Sequence, residues 1–339
     1  MLSRTARIHI AGHRGLVGSA VWRSLENEGF SDLVGRSSTE LDLRDRAAVD
    51  TFYDEVRPEY VVLAAARVGG ILANSKQPAE FLSDNLRIQL SVLDAAARIG
   101  VRKVLFLGSS CIYPRLAPQP ISEDALLTGP LEKTNDAYAI AKIAGILHIQ
   151  ALRRQYGLHY VSAMPTNLYG PGDNFDLETS HVLPAMIRKF HDAKASGASH
   201  VTMWGTGSPR REFLHVDDMA RACLVLLESY DDDAPINIGC GDDVTIAELA
   251  ATVADVVGFE GDLVWDTTKP DGTPRKLLNT SRINALGWRP EIELRDGLKS
   301  TYEWFVENMS CAATLTSRPS RSTSPTNAPR SLPLPRARR

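Results

Sequence analysis

The stretch Arg7-Ile8-His9-Ile10-Ala11-Gly12-His13-Arg14-Gly15-Leu16-Val17-Gly18-Ser19-Ala20 reads as a short apolar strand, a glycine-punctuated turn and the start of an amphipathic helix. A side chain at the turn would keep the backbone away from a pyrophosphate, and one at Gly18 would push helix and strand apart. The helix amino end supplies unpaired N–H groups and partial positive charge, so GxxGxxG in this setting reads as a dinucleotide-binding loop. Gly12, His13, Arg14, Gly15, Leu16, Val17 and Gly18 are its candidate cofactor contacts.

Working outward, short apolar runs alternate with longer amphipathic stretches, the signature of a parallel sheet covered by helices. Strands are expected at Arg7–Ala11, Leu33–Arg36, Tyr60–Ala66, Lys103–Gly108 and His159–Met164, and helices at Val17–Gly29, Asp45–Val56, Ala79–Ile99 and Asn135–Tyr156. The spacing fits a doubly wound α/β sheet of the Rossmann type, whose ligand crevice lies at the carboxyl ends of the strands. After Tyr169-Gly170-Pro171-Gly172 turn-rich segments alternate with helices near Val182–Ala195, Asp217–Ser229, Thr245–Val257 and Leu294–Met309. The expected division is a cofactor domain over residues 1–170, completed by segments near 212–240 where Pro235–Cys240 reads as a returning strand, and a smaller mixed α/β substrate domain over 171–309.

The chain has 339 residues, 43% hydrophobic and 23% charged, enough for two cores, with no visible internal repeat. The formal charge of −3 argues against nucleic acid or an anionic membrane as main partner. No apolar run approaches the ~18 residues of a spanning helix, and the first residues lack a signal-peptide core, so a cytoplasmic protein is expected. Residues 310–339 carry six Arg, five Pro and no acid; this segment cannot build a core and is expected to be a disordered basic tail. Cys111, Cys223, Cys240 and Cys311 form no CxxC pair, so neither a metal site nor a disulfide framework is expected.

The second strand ends in Gly35-Arg36-Ser37-Ser38 where an NAD-gripping strand would end in an acid, and Arg36 with Arg14 favours the 2'-phosphate of NADP. Asp42, soon after, is a candidate for the adenine edge. Tyr138-Ala139-Ile140-Ala141-Lys142 sets a phenol and an ammonium four residues apart on one helix face. A neighbouring cation stabilises a phenolate, which predicts proton exchange near neutrality. Leu107-Gly108-Ser109-Ser110-Cys111, at the end of the fourth strand, adds a serine hydroxyl for the same substrate oxygen.

The order of glycine loop, Ser109, Tyr138 and Lys142 resembles the extended short-chain dehydrogenase/reductase family. Ala64-Ala65-Ala66 with Val68-Gly69-Gly70, Gly108 to Pro114, Met164 to Pro171 and Arg211 to Asp218 extend the resemblance over roughly Arg7 to Asn308. They point to the branch acting on GDP-4-keto-6-deoxy-D-mannose by 3,5-epimerisation and NADPH-dependent 4-reduction. The resemblance implies Cys111 as base and His181 as acid, and further cofactor contacts at Leu107, Gly108, Lys142, Pro165, Thr166, Asn167, Leu168 and His181. It also implies substrate contacts at Lys189, Trp204, Arg211, Asp271 and Lys276, a GDP-sugar substrate and a homodimer. Lys189 stands where relatives often carry Arg, which leaves a point charge without the bidentate fork. The dimer is expected to pair helices Ala79–Ile99 and Asn135–Tyr156 through a surplus apolar face including Leu86, Leu90, Leu93, Ile143, Ile146 and Ile149. Rival readings are a nucleotide-sugar 4-epimerase, a 4,6-dehydratase and, from another class, a non-enzymatic nucleotide sensor. A dehydratase typically follows its serine or threonine with an acid, whereas Cys111 follows Ser110 and no carboxylate appears until Glu123.

Overall fold

The structure, a computed structural model, describes residues 2–269 and 271–316. In chain order its elements are β1 Ile8–Ala11, α1 Leu16–Asn27, β2 Leu33–Val34, α2 Arg46–Val56, β3 Tyr60–Leu63, α3 Ile71–Lys76, α4 Pro78–Ile99 and β4 Lys103–Leu107. They continue as α5 Asp136–Tyr156, β5 Val161–Pro165, β6 Asn167–Tyr169, α6 Val182–Ser196, β7 His200–Trp204, β8 Arg210–Arg211, β9 Phe213–His215 and α7 Val216–Ser229. The last are β10 Ile236–Ile238, β11 Val244–Thr245, α8 Ile246–Val257, β12 Asp262–Asp266, β13 Arg275–Lys276, α9 Ser281–Ala285 and α10 Leu294–Thr316.

The main sheet has strand order β10-β5-β4-β3-β1-β2, with every pairing parallel. Successive strand residues alternate between faces. Ile8, Ile10, Val62, Leu105 and Leu107 join Val21, Leu25, Met219 and Leu226 of α1 and α7 in one core, while Val61, Leu63, Val104 and Phe106 join Phe52, Leu93, Ile143 and Ile146 of α2, α4 and α5 in another. Apolar residues at every register position are therefore what a sheet covered on both faces requires. The order reverses beside β1, so the crevice opens at the carboxyl ends of β1 and β3. β10 returns from the later half of the chain to pair with β5, in register Ile236 to Ala163. A third cluster, with Ile187, Phe190, Leu249, Val253 and Phe305, joins α6, α8 and α10.

Several element boundaries differ from the sequence expectation for local reasons. β2 stops at Val34 because Gly35 packs against the His13 ring, where a Cβ would lie 2.4 Å from Cγ. β3 stops at Leu63 because Ala64 and Ala65 turn in against Gly12, whose own Cβ would meet the Ala65 nitrogen at 2.8 Å. α10 runs to Thr316 rather than ending at Met309, so the first residues assigned to the tail are helical. The rest of the expected tail, 317–339, lies outside the described residues. The surplus apolar face also needs correcting. Leu93, Ile143, Ile146 and Ile149 are buried in the chain's own core, Leu86 is half-buried, and the exposed large apolar residues on α4 and α5 are Leu90, Ile140, Leu147 and, at the end of α5, Tyr156.

Candidate active site

Gly12 holds a left-handed conformation, φ 88°, and its carbonyl accepts from Gly15 N at 2.9 Å. A Cβ at Gly18 would sit 2.1 Å from the Gly12 oxygen, so α1 reaches the turn only with glycine there. No side chain caps α1, which leaves the backbone amides of its first turn, Leu16 and Val17 among them, to a ligand. Beside it lies a cavity of about 300 Å³ lined by Gly12, His13, Arg14, Gly15, Arg36, Ser37, Ser38 and Thr39. Arg36 donates to the Gly35 carbonyl at 2.9 Å and lies over the Phe52 ring at 5.6 Å. Glu40, which sequence reading passed over, accepts from both the amide and hydroxyl of Ser37 at 2.7 and 2.6 Å, shaping the cavity's outer turn. Those bonds, with the charges of Arg14 and Arg36, hold its carboxyl below the usual range. Asp42 does not line this cavity; Arg44 clasps its carboxylate at 2.8 and 2.9 Å.

At the end of β4, Ser109 caps the turn Ser110–Ile112, its Oγ accepting from Cys111 N at 3.2 Å. Gly108 is required next to it, because a Cβ would strike Met164 at 2.5 Å. Lys142 is buried and donates from Nζ to the Leu107 carbonyl at 2.7 Å, with Nζ 5.8 Å from the centre of the Tyr138 ring one turn earlier on α5. Burial pushes the Tyr138 phenol up and the charge on Cys111 adds to this, while a hydrogen bond with Ser109 opposes it. Burial likewise brings Lys142 down to about 7. Desolvation penalises both charged forms, so the phenol keeps its proton, the form from which it donates.

Cys111 Sγ accepts from Asn135 Nδ2 at 3.3 Å and has Lys276 Nζ at 3.6 Å. Burial raises the thiol, but Lys276 and the hydrogen bonds from Ser109, Lys276 and Asn135 outweigh it and leave it below the ordinary range. Asn135 was missed in the sequence, although it immediately precedes the Tyr138 helix. His181 is the N-cap residue of α6 and leaves that helix uncapped by its own side chain. The residue is exposed, yet the surrounding protein, and then Lys276, lower its basicity. The segment before it is held by Gly70 N donating to the Thr179 carbonyl at 3.0 Å, and a Cβ on Gly70 would meet the Ser180 oxygen at 2.5 Å.

The remaining expected residues fall into two groups. Trp204 is 58% exposed at the end of β7, with Lys189 Nζ 5.9 Å and Lys269 Nζ 5.8 Å from its ring centre. Lys269 carried no sequence signal beyond its charge. Asp271 is already engaged: its two oxygens accept from Thr206 N and Oγ1 at 2.9 and 2.7 Å. Thr166 and Asn167, after Pro165 and before Leu168, donate to the carbonyl of Glu212 at 3.3 and 2.8 Å. Glu212 is fully buried and accepts from the amides of Gly241 and Leu278, which ties β5, β6 and the segment after β13 into one wall. Ser109, Cys111, Tyr138 and Lys142 thus meet Asn135, Arg211 and Lys276 at one end of the sheet.

The family model described as NAD dependent epimerase/dehydratase family matches residues 8–239. The chain is 59% identical over 309 residues to putative GDP-L-fucose synthase 2 of Arabidopsis thaliana, covering 91% of this chain and 94% of that protein. It is 54% identical over 311 residues to GDP-L-fucose synthase of Escherichia coli (strain K12), covering 89% and 97% respectively. The solved structure of a GDP-L-fucose synthetase from Naegleria fowleri bound to NADP superposes with a TM-score of 0.84 at 31% identity, over 91% of this chain and 97% of that one.

Proposed function

The chain belongs to the NAD dependent epimerase/dehydratase family, and we propose that it converts GDP-4-keto-6-deoxy-D-mannose to GDP-L-fucose, epimerising carbons 3 and 5 and then reducing carbon 4 with NADPH. The observation that carries this reading is a polarised thiol, Cys111, set beside the reductase trio Ser109, Tyr138 and Lys142. Neither a simple 4-reductase nor a 4-epimerase has a use for that thiol.

The residues fit NADP despite the family's NAD label. The glycine cradle that a Cβ would fill suits a pyrophosphate, and Arg14 and Arg36 at the adjoining cavity suit a 2'-phosphate. When bound, NADPH supplies the hydride for carbon 4. Lys142, Leu107, Gly108 and Pro165 to Leu168 would hold the rest of the cofactor.

Carbons 3 and 5 both flank the carbonyl, so loss of a proton from either leaves an enolate whose charge gathers on the carbon-4 oxygen. Ser109 and Tyr138 direct hydrogen bonds at that oxygen. Cys111 takes the carbon-bound proton: the C–H bond breaks, S–H forms, and the electron pair moves into the enolate. His181 returns a proton to the opposite face; lowered basicity makes its imidazolium a stronger acid. In the reduction Tyr138 gives its phenolic proton to the same oxygen. Lys189, Trp204 and Lys269 offer cations and an aromatic face to the GDP moiety, while Asp271 holds the loop between β7 and β8 in place.

The finer parts of the reading are a cytoplasmic homodimer paired through α4 and α5, with Leu90, Ile140 and Leu147 between the copies, and a substrate domain over 171–309 beside the cofactor domain. No helix among the described residues is long and apolar enough to cross a membrane. The reading is tested by mixing purified protein with NADPH and GDP-4-keto-6-deoxy-D-mannose. NADPH oxidation that requires this sugar and yields GDP-L-fucose supports it; no oxidation, or oxidation with the sugar absent, overturns it.

A further inference from the structure

β13 pairs with β8 in parallel, bringing Arg275 opposite Arg210 and Lys276 opposite Arg211. Side chains alternate along a strand, so the two pairs face opposite ways. Arg210 and Arg275 both close on the buried carboxylate of Asp243, at 2.6 and 2.5 Å. That clamp turns Arg211 and Lys276 toward Cys111. The chain just beyond is pinned as well: Leu277 N donates to Gln119 Oε1 at 2.9 Å and Leu278 N to the buried Glu212 at 3.1 Å. Four polar contacts thus hold the chain around Lys276, and its own ammonium ends 3.6 Å from a sulfur rather than at an acid.

We infer that Lys276 is a positioning residue for the epimerisation: its ammonium holds Cys111 as thiolate, in addition to any contact with the GDP-sugar. The inference rests on the function proposed above for the step the thiolate performs, and on the geometry alone for the thiolate itself. A thiol beside a fixed cation loses its proton more readily, and only the thiolate can take a proton from carbon. The charged and titratable groups around Cys111 are Lys276 on β13, Arg211 on β8 and Tyr138 on α5, with the uncharged Asn135 completing the sulfur's contacts. Lys276 is the one of these whose charged atom touches the sulfur.

This role predicts a signature that a ligand for the diphosphate would not produce. Removing Lys276 raises the titration of the thiol, so exchange of substrate protons with solvent sets in at higher pH. The direct test uses protein without substrate or cofactor. Iodoacetamide alkylation of Cys111 is followed by peptide mass spectrometry against pH, in wild type, Lys276→Met, Lys276→Gln and Lys276→Arg. The two neutral variants should react about tenfold more slowly at pH 7, with the midpoint about one pH unit higher, and Lys276→Arg should stay within about twofold of wild type. Unchanged rates and midpoints in the neutral variants overturn the inference. Lys276→Gln preserves length and polarity, and an unchanged circular dichroism spectrum and Tm report that the fold persists. A wild type that cannot turn over GDP-4-keto-6-deoxy-D-mannose overturns the proposed function instead, whatever the alkylation shows.

Discussion

Tyr138, Ser109 and Cys111 divide the chemistry by what their surroundings do to their protons. The phenol is held protonated by burial, so it serves as a donor when the carbon-4 oxygen gains charge. Tyr138→Phe is expected to slow hydride transfer by about 10²–10⁴-fold, the usual worth of a positioned acid. Some proton exchange at carbons 3 and 5 should survive, because Ser109 still faces the enolate oxygen; stopped-flow NADPH absorbance and deuterium uptake separate the two. Cys111→Ser should abolish the exchange, since a hydroxyl in the same place is far too weak a base, while GDP-L-fucose oxidation continues. In wild type the exchange should already be supported below the ordinary thiol range, because the thiol's titration is shifted down.

At the scale of elements, the glycine loop holds only if α1 can approach the turn. Gly18→Ala places a methyl 2.1 Å from the Gly12 carbonyl oxygen, and the helix must move. Overpacking of this kind costs about 1–3 kcal/mol. The expected result is NADPH affinity weakened by tenfold or more in a fluorescence titration, with a lowered Tm. Short continuous apolar strands, glycines at the turn and the Tyr138–Lys142 spacing are local signals, and for that reason they were legible in the sequence. Lys276 and Asn135 were not legible as partners of Cys111, because they reach it from 165 and 24 residues away. The pairing depends on a two-residue strand too short to show periodicity. The partner of Asp42 was not legible for a related reason: its neighbour Arg44 clasps the carboxylate, and sequence order does not show which of two nearby groups an acid will choose. The helices α4 and α5 look overly apolar in isolation because their inward stripes serve the sheet and one another, which leaves a narrower exposed patch than composition suggests.

The molecule is built around a six-stranded parallel sheet covered on both sides, with smaller sheets and a third core beside it, in which Lys189 on α6 and Trp204 at the end of β7 lie together. Its association is expected to run through Leu90, Ile140 and Leu147 on α4 and α5. Light scattering at micromolar concentration should give twice the chain mass, and Leu90→Glu with Leu147→Glu should return it to the monomer. What sets this molecule apart from a plain ketoreductase is that one crevice handles protons at carbons 3 and 5 and a hydride at carbon 4. The most direct measurement of that claim is a single turnover of GDP-4-keto-6-deoxy-D-mannose with NADPH in heavy water, read by NMR of the product sugar. The predicted product is GDP-L-fucose carrying deuterium at both carbon 3 and carbon 5, with one NADPH consumed per sugar. A reduced GDP-6-deoxyhexose without deuterium, its configuration at carbons 3 and 5 unchanged, would contradict it.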